Sequence, residues 1–345
     1  MVDAITLNNI SITRLSDINP ATWSQRSNQW DESPTLDYAF SSPFQLFTPS
    51  FASLLKTICS NEYNGVHEYS TKRTQCCLRG ARSLQEAVAS CRADLERIAS
   101  TLVGTRMLLH GMRHEWAHVN VQRSAERAVD DWHQDSMPFV LVTVLTNHEQ
   151  DQGGSLIVRR SGGSRSEFKC KLRRPGESIL MQGSHIWHKA EPSMTGERLT
   201  LVTSFVVESL EVYDTSSIRL AVQYTPPHEC IHQFLNHALK RIYNNNQSVV
   251  EEEDRQLEVR PEVRSEVRSE VRQEQNKRRA SVREKEIKKI IDAFDEIQLL
   301  VGYNRKTCRD HRIVVAFDRW LGVITGALLR NTKENEEIKK RKSKL

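Results

Sequence analysis

From about residue 105 to residue 208 the chain is cut into short apolar runs by glycine and proline. This segmentation limits the available folds more than any other feature. Runs of strand length stand at Met107–Leu109, Trp116–Gln122, Phe139–Thr146, Ser155–Arg159, Phe168–Leu172, Ser178–Met181 and Leu199–Val207. Gly153-Gly154, Gly162-Gly163, Pro175-Gly176 and Gly183 separate them. Short strands at such spacing predict a mainly β core, an antiparallel sandwich or jelly roll, whose two sheets enclose a small mouth lined by inward side chains.

The flanks predict other structure. Residues 1–82 lack steady periodicity and carry scattered aromatics, Trp23, Trp30, Tyr38, Phe40, Phe44, Phe47 and Phe51, with Pro34, Pro43 and Pro49 breaking any long element. They read as an irregular arm on the core, or as a wall over an apolar substrate. Ser83-Leu84-Gln85-Glu86 has the form of a capping box. Leu84, Ala87, Val88, Cys91, Leu95, Ile98, Ala99 and Leu102 then recur at helical spacing up to Gly104. One support helix of about five turns is expected there, and residues 83–210 form one unit with the strands. Residues 211–247 read as helical. His228 and His232 have ligand-like spacing but no Glu-x-x-His context, so these and His237 read as packing or surface histidines.

Residues 248–280 form a charged repeat linker. Glu258-Val259-Arg260-Pro261 is followed by Glu262-Val263-Arg264-Ser265, Glu266-Val267-Arg268-Ser269 and Glu270-Val271-Arg272-Gln273. A period of four stacks like charge on like charge along a helix, so a solvated linker or marginal helix is expected rather than a coiled coil. Residues 281–345 predict a helical hairpin and a basic tail, a C-terminal helical extension through which copies could self-associate. The apolar stretch Ile313–Leu329 holds Asp318 and Arg319 and is short for a bilayer, so no membrane span is expected.

Composition narrows the setting. A net charge of +5 is too mild to imply nucleic acid by itself. The 7 cysteines include no C-x-x-C pair, which favours reduced thiols over a metal knuckle or a disulfide framework. No basic region followed by an apolar run marks a secretory leader at Met1-Val2-Asp3-Ala4. Ser343-Lys344-Leu345, behind a basic cluster, has the form of the peroxisomal address and implies the import receptor as a partner, with cytoplasm or nucleus as the alternative.

Within the strand-rich segment stand Trp132-His133-Gln134-Asp135 and, about fifty residues on, His188 and Arg198. Side chains alternate across a strand, so His133 and Asp135 point one way and Gln134 the other. Two imidazoles and one carboxylate on one face of a metal, with open positions, make the facial triad of non-heme Fe(II) oxygenases. Arg198 and Thr200 share the same period of two. A guanidinium and a hydroxyl on one face make a two-pronged clamp for a carboxylate. His185 competes with His188 as third ligand. His118, Asn120 and Gln122 alternate ahead of the ligands, either as contacts to a co-substrate or as core polar residues.

On His133, Asp135, His188, Arg198 and Thr200 the segment from about 115 to 208 resembles the Fe(II)/2-oxoglutarate-dependent dioxygenase superfamily. Gly153-Gly154-Ser155-Leu156 and Pro175-Gly176-Glu177-Ser178-Ile179-Leu180 resemble two of its turns. The prolyl-hydroxylase-like branch fits this portion, and Trp132-His133-Gln134-Asp135 also resembles phytanoyl-CoA hydroxylase-like members. The resemblance implies a double-stranded β-helix and Fe(II) on His133, Asp135 and His188. It also implies 2-oxoglutarate held by Arg198 and Thr200 with help from Asn120, and ascorbate as a reductant. It implies hydroxylation of an unactivated C–H bond with release of succinate and carbon dioxide. The substrate would be a small molecule, acyl-CoA or other lipid-derived compound, or else a protein side chain. Retention of Asp135 speaks against halogenation. The absence of further Asn and Arg residues around Arg198 speaks against nucleic-acid repair. A binding protein that keeps the fold without turnover is the competing reading.

Overall fold

The computed structural model describes residues 9–18, 36–62, 67–68, 76–78, 80–122, 131–150, 153–159, 167–194, 196–209, 212, 214–216, 232–234, 236–238 and 241. The charged repeat, the C-terminal hairpin, Ser343-Lys344-Leu345 and His228 lie outside these residues.

The elements follow in order as β1 (Ile12–Thr13), α1 (Leu15–Ile18), β2 (Phe40–Ser41), β3 (Phe44–Gln45), α2 (Pro49–Asn61), β4 (His67–Glu68), β5 (Cys76–Leu78), α3 (Arg82–Ser90), α4 (Arg92–Val103), β6 (Met107–Leu109), β7 (His118–Gln122), β8 (Phe139–Val144), β9 (Leu156–Arg159), β10 (Glu167–Cys170), β11 (Glu177–Met181), β12 (His188–Ala190) and β13 (Arg198–Val207). Residues 232–234 and 236–238 are helical.

The strands make two antiparallel sheets. The larger runs β1-β2-β11-β8-β13-β7-β5-β4, with β3 also on β11 and β6 on β13. The smaller runs β10-β9-β12, and His133 bridges to His188 at its β12 edge. Following the chain, β7 lies in the large sheet, His133 on the small one, β8 in the large, β9 and β10 in the small, β11 in the large, β12 in the small and β13 in the large. This alternation between two sheets is a double-stranded β-helix, the jelly roll expected from the strand spacing.

The central strands are buried on both faces, which explains why they read as nearly continuous apolar runs. All of β8, Phe-Val-Leu-Val-Thr-Val, is buried, and so is all of β13. Leu199, Leu201 and Phe205 face the helix side, in one core with Leu84, Val88, Leu95 and Ile98. The alternate residues Arg198, Thr200, Val202 and Ser204 face the space between the sheets. There Phe40 of the large sheet meets Phe168 of the small one edge-on at 5.8 Å.

Three expectations about the helices are corrected. The single five-turn support helix is two helices, α3 and α4, broken at Cys91. The Ser90 hydroxyl donates to the Ala87 carbonyl at 2.7 Å, and the Cys91 amide turns to Val88 instead. Such back-bonding bends helices. The capping box does not form. Ala81 is the N-cap without a side-chain bond, and the Ser83 hydroxyl donates to Glu62 from inside the helix. Pro49, expected to break an element, opens α2 instead, where a missing amide costs nothing. The Thr48 side chain accepts from the Phe51 amide at that end. Trp116 and Ala117, read as strand, follow a 3-10 turn at Arg113–Glu115, and β7 begins at His118.

Among the described residues Cys59, Cys91 and Cys170 are free thiols, all buried. Burial pushes the Cys59 and Cys170 thiols up to about 12 and about 11. No helix among the described residues is long and apolar enough to cross a membrane.

Candidate metal centre

His133, Asp135 and His188 come together at one end of the space between the sheets, with their ligand atoms all within 4.8 Å of one another. The backbone makes this meeting. His133 and His188 exchange amide-to-carbonyl bonds of 3.1 and 3.0 Å, which sets the two imidazoles side by side with ring centroids 4.3 Å apart. The Asp135 amide donates to the Gly183 carbonyl at 2.9 Å, so the carboxylate is fixed from the turn that follows β11. Trp132, one residue before His133, carries Lys189 at 4.6 Å and Arg159 at 5.8 Å over its ring. These cation–π contacts tie Trp132 to the small sheet, while His133 turns to the carboxylate.

Second contacts fix the tautomers. His133 Nδ1 lies 2.8 Å from the Asp131 carbonyl, and His188 Nδ1 lies 3.1 Å from the Ile186 carbonyl. A carbonyl only accepts, so each Nδ1 must carry the proton. In the neutral imidazole, the form that binds a metal, each Nε2 then turns its lone pair toward Asp135. The His133 Nε2–Oδ1 and His188 Nε2–Oδ2 distances are 3.7 and 3.5 Å. These are too long for hydrogen bonds. Lone pairs facing a carboxylate repel unless a cation lies between them. Metal–ligand bonds of about 2.0–2.2 Å separate neighbouring ligand atoms by roughly 3.0–3.5 Å, so a small contraction would close the site on a metal. The donor set, with each histidine's Nδ1 held by a main-chain carbonyl behind it, fits a divalent metal.

His185 does not join this group. Its Nδ1 bonds the Ser184 hydroxyl at 2.8 Å. Arg198, 3% exposed, opens β13 opposite Gln122. Thr200 stands opposite Asn120 on one side and Val144 on the other. Paired residues of antiparallel strands share a face, so Gln122, Asn120, Arg198 and Thr200 all face the space between the sheets. The Thr200 hydroxyl is buried and has no hydrogen-bond partner among the described residues. Leaving such a group unsatisfied costs about 1–3 kcal/mol, which a polar ligand would recover.

The residue types also recur elsewhere. His110, Asp214 and His237 bring ligand atoms within the same 4.8 Å and are all buried. Their tautomers are opposite. His110 Nδ1 accepts from the Met112 amide at 3.1 Å, and His237 Nδ1 accepts from the Gly111 amide at 3.3 Å. Each Nε2 therefore carries the proton. His110 Nε2 lies 2.7 Å from the Ser216 hydroxyl, and His237 Nε2 lies 2.8 Å from Asp214. Arg241 supplies the positive charge at 3.3 Å from the same carboxylate. This group is a saturated hydrogen-bond network, not a metal centre. His237, expected among packing or surface histidines, belongs to this network, and no sequence pattern singles out His110 or Asp214.

No family model matches the chain, and no curated protein matches it. Solved structures do. A Pseudomonas putida prolyl-4-hydroxylase is 15% identical over 48% of this chain and 91% of that one, with a TM-score of 0.35. The α-ketoglutarate-dependent carbocyclase SnoK from nogalamycin biosynthesis is 12% identical over 50% and 80%, with a TM-score of 0.40. HygX from Streptomyces hygroscopicus, with nickel and 2-oxoglutarate bound, is 12% identical over 48% and 82%, with a TM-score of 0.36. Likenesses this distant carry no argument about chemistry, which rests on the chain's own residues.

Proposed function

We propose that the chain is an Fe(II)- and 2-oxoglutarate-dependent dioxygenase that hydroxylates an unactivated C–H bond of a small-molecule or lipid-derived substrate. The observation that carries this reading is the pair of imidazoles whose Nδ1 protons are taken by the Asp131 and Ile186 carbonyls, leaving both Nε2 lone pairs on the Asp135 carboxylate. His133, Asp135 and His188 would hold the metal on one face. Arg198 and Thr200 would hold the far carboxylate of 2-oxoglutarate, with Asn120 beside them. When bound, the metal and co-substrate together supply oxidative decarboxylation to succinate and carbon dioxide, and the oxidising equivalent for the C–H bond.

The chain's own residues do the rest. Asp135 offsets the metal's charge. Arg198 and Thr200 orient the co-substrate along the inner face of β13. Beyond Thr200, Val202 stands opposite Val142 and, on the next strand, Ile179, an apolar run that ends at His118 on the other side of Val202. They exclude water from that part of the space between the sheets. This lining supports a substrate with apolar carbon to offer.

Purified protein with Fe(II), 2-oxoglutarate and ascorbate should release succinate, and His133→Ala and Asp135→Ala should not. Equal succinate from parent and variants would show that these residues hold no catalytic metal. Metal and 2-oxoglutarate binding without succinate release, with or without candidate substrates, would leave a binding protein. Acyl-CoAs and peptides screened for a mass gain of one oxygen distinguish the lipid-derived from the protein side-chain substrate.

A further inference from the structure

We propose that Asp214, His237 and Arg241 are positioning residues for the metal centre. Their buried network latches the chain after β13 as a fixed wall beside the Asp135–Ser136 turn. This rests on the metal reading above and adds residues that do not touch the metal.

The network staples three separate pieces of chain. Asp214, 2% exposed, takes bonds from His237 Nε2 at 2.8 Å and the Ser216 amide at 2.9 Å, together with the Ser216 hydroxyl and the Arg241 guanidinium. Arg241 also donates to the carbonyls of Ser209 at 3.1 Å and Val212 at 2.9 Å. His110 reaches the Ser216 hydroxyl, and its own amide donates to Ser204 of β13 at 2.9 Å. Gly111 allows His237 this close, because a Cβ there would lie 2.4 Å from the His237 Cβ. The Arg113 amide donates to Gln233 at 2.7 Å, among the helical residues 232–234.

Charged pairs buried this deeply are a poor way to gain stability, since apolar packing of equal volume does as well or better. What they provide is one defined geometry, and that geometry places residues 214–216 against the metal turn. Thr215 Oγ1 approaches the Ser136 carbonyl at 3.5 Å, one residue past Asp135. The wall and the metal turn therefore share an edge, and what orders one orders the other.

Coupling between two sites is reciprocal, so metal binding must tighten the latch as the latch tightens the metal. Hydrogen exchange on the unmodified full-length chain, with Co(II) as probe, reads this directly. The Gly111 and Ser216 amides, which bond His237 and Asp214, should exchange at least about fivefold more slowly with Co(II) bound. In the reverse direction, Asp214→Asn and His237→Ala should weaken Co(II) binding by roughly tenfold and shift its visible ligand-field band, as loss of second-shell support does. Thr215→Val, which leaves the buried network intact, should move both in the same direction by less. The exposed His232→Ala on the same helix should change neither. Co(II) binding to the parent with unaltered exchange at Gly111 and Ser216 would overturn the latch and leave the metal reading standing. A parent that binds no Co(II) would overturn both.

Discussion

Gly183→Ala is the sharpest test of the centre, because one methyl group addresses one ligand. A Cβ on Gly183 would lie 2.1 Å from Asp135 Oδ2 and 2.9 Å from its Cγ, where ordinary contact begins near 3.4 Å. The carboxylate must retreat by about 1.3 Å, the difference between 3.4 and 2.1 Å. Asp135 cannot swing away whole, since its amide is bonded to the Gly183 carbonyl at 2.9 Å. Gly183 is not among the glycines with positive φ, so alanine brings no backbone strain and the fold should persist. Displacing a reacting group by about 1 Å can cost roughly 100-fold in rate. Disturbing the support of a metal ligand costs about 10–100-fold in affinity. Co(II) titration and succinate release should both fall by these factors while the thermal melt stays near that of the parent. Gly104→Ala is the control. Its φ of 80° strains alanine, but nothing lies within 4 Å of the new methyl, so it should lower stability and leave Co(II) affinity alone. If Gly183→Ala binds Co(II) and turns over like the parent, Asp135 does not occupy a ligand position and the centre as described is wrong.

Other outcomes follow from the same geometry. Equilibrium dialysis should find one Co(II) per chain in the parent and in His237→Ala, and none in His133→Ala; two ions per chain would refute the tautomer argument that separates the two histidine–aspartate groups. Arg198→Met should raise KM for 2-oxoglutarate by roughly 30-fold or more, as loss of a buried carboxylate partner costs about 2–5 kcal/mol. Thr200→Val should raise it about fivefold, the worth of one hydroxyl bond of about 1 kcal/mol; unchanged KM in both would remove the clamp. Glu177 provides a pH test of the turn into β11. Burial pushes its carboxyl up, but the Arg173 and Arg174 amides at 2.7 and 3.2 Å and the Arg174 side chain at 2.8 Å outweigh this and hold it below the ordinary value. A carboxyl lowered in the fold stabilises above its unfolded pKa, and that contribution is lost as pH falls through the folded value. Urea melts of Glu177→Gln should therefore show a deficit at pH 7 that closes on acidification below about pH 4.3, and a deficit independent of pH would contradict it.

The core was legible in the sequence because its strands are buried on both faces and bounded by glycine. β8 and β13 announce themselves by length and apolar content. β12 did not, because Trp187-His188-Lys189-Ala190 has neither alternation nor a continuous apolar run. What makes it a strand is pairing with β9 at Val158, Ile157 and Leu156, and with His133 on its other edge. The strand that carries His188 was thus marked by that histidine and not by its own pattern. The amino-terminal strands failed for a related reason. β2 and β3 are two residues each and are made strands by their partners, β2 between β1 and β11 with Met181 against Phe40, and β3 on β11 with Ser178 against Phe44. Two residues contain no period. The break at Cys91 came from a serine hydroxyl competing for a carbonyl, which helical spacing of apolar residues does not register.

The deeper lesson concerns the two groups of the same residue types. His133, Asp135 and His188 were nominated because a period of two would put the first pair on one face, with Arg198 at the family's distance from His188; the structure forms only an isolated bridge at His133 and no strand through Asp135, yet brings the three together. His110, Asp214 and His237 were missed because 23 residues separate the last two and more than a hundred separate the first two. Yet proximity alone would have misled, since both groups bring their ligand atoms within 4.8 Å of one another. The main-chain group bonded to each Nδ1 decides their chemistry. His133 and His188 each set Nδ1 on the carbonyl two residues back, an acceptor that forces the lone pair outward onto Nε2. His110 sets Nδ1 on the amide two residues ahead, a donor that forces the proton outward instead. An imidazole whose outward nitrogen bears a proton can bond Asp214 or Ser216 but cannot ligate a metal while that inner bond persists. Residue identity nominates a ligand. The direction of one main-chain dipole beside the ring determines whether the nitrogen facing the carboxylate offers a lone pair or a proton.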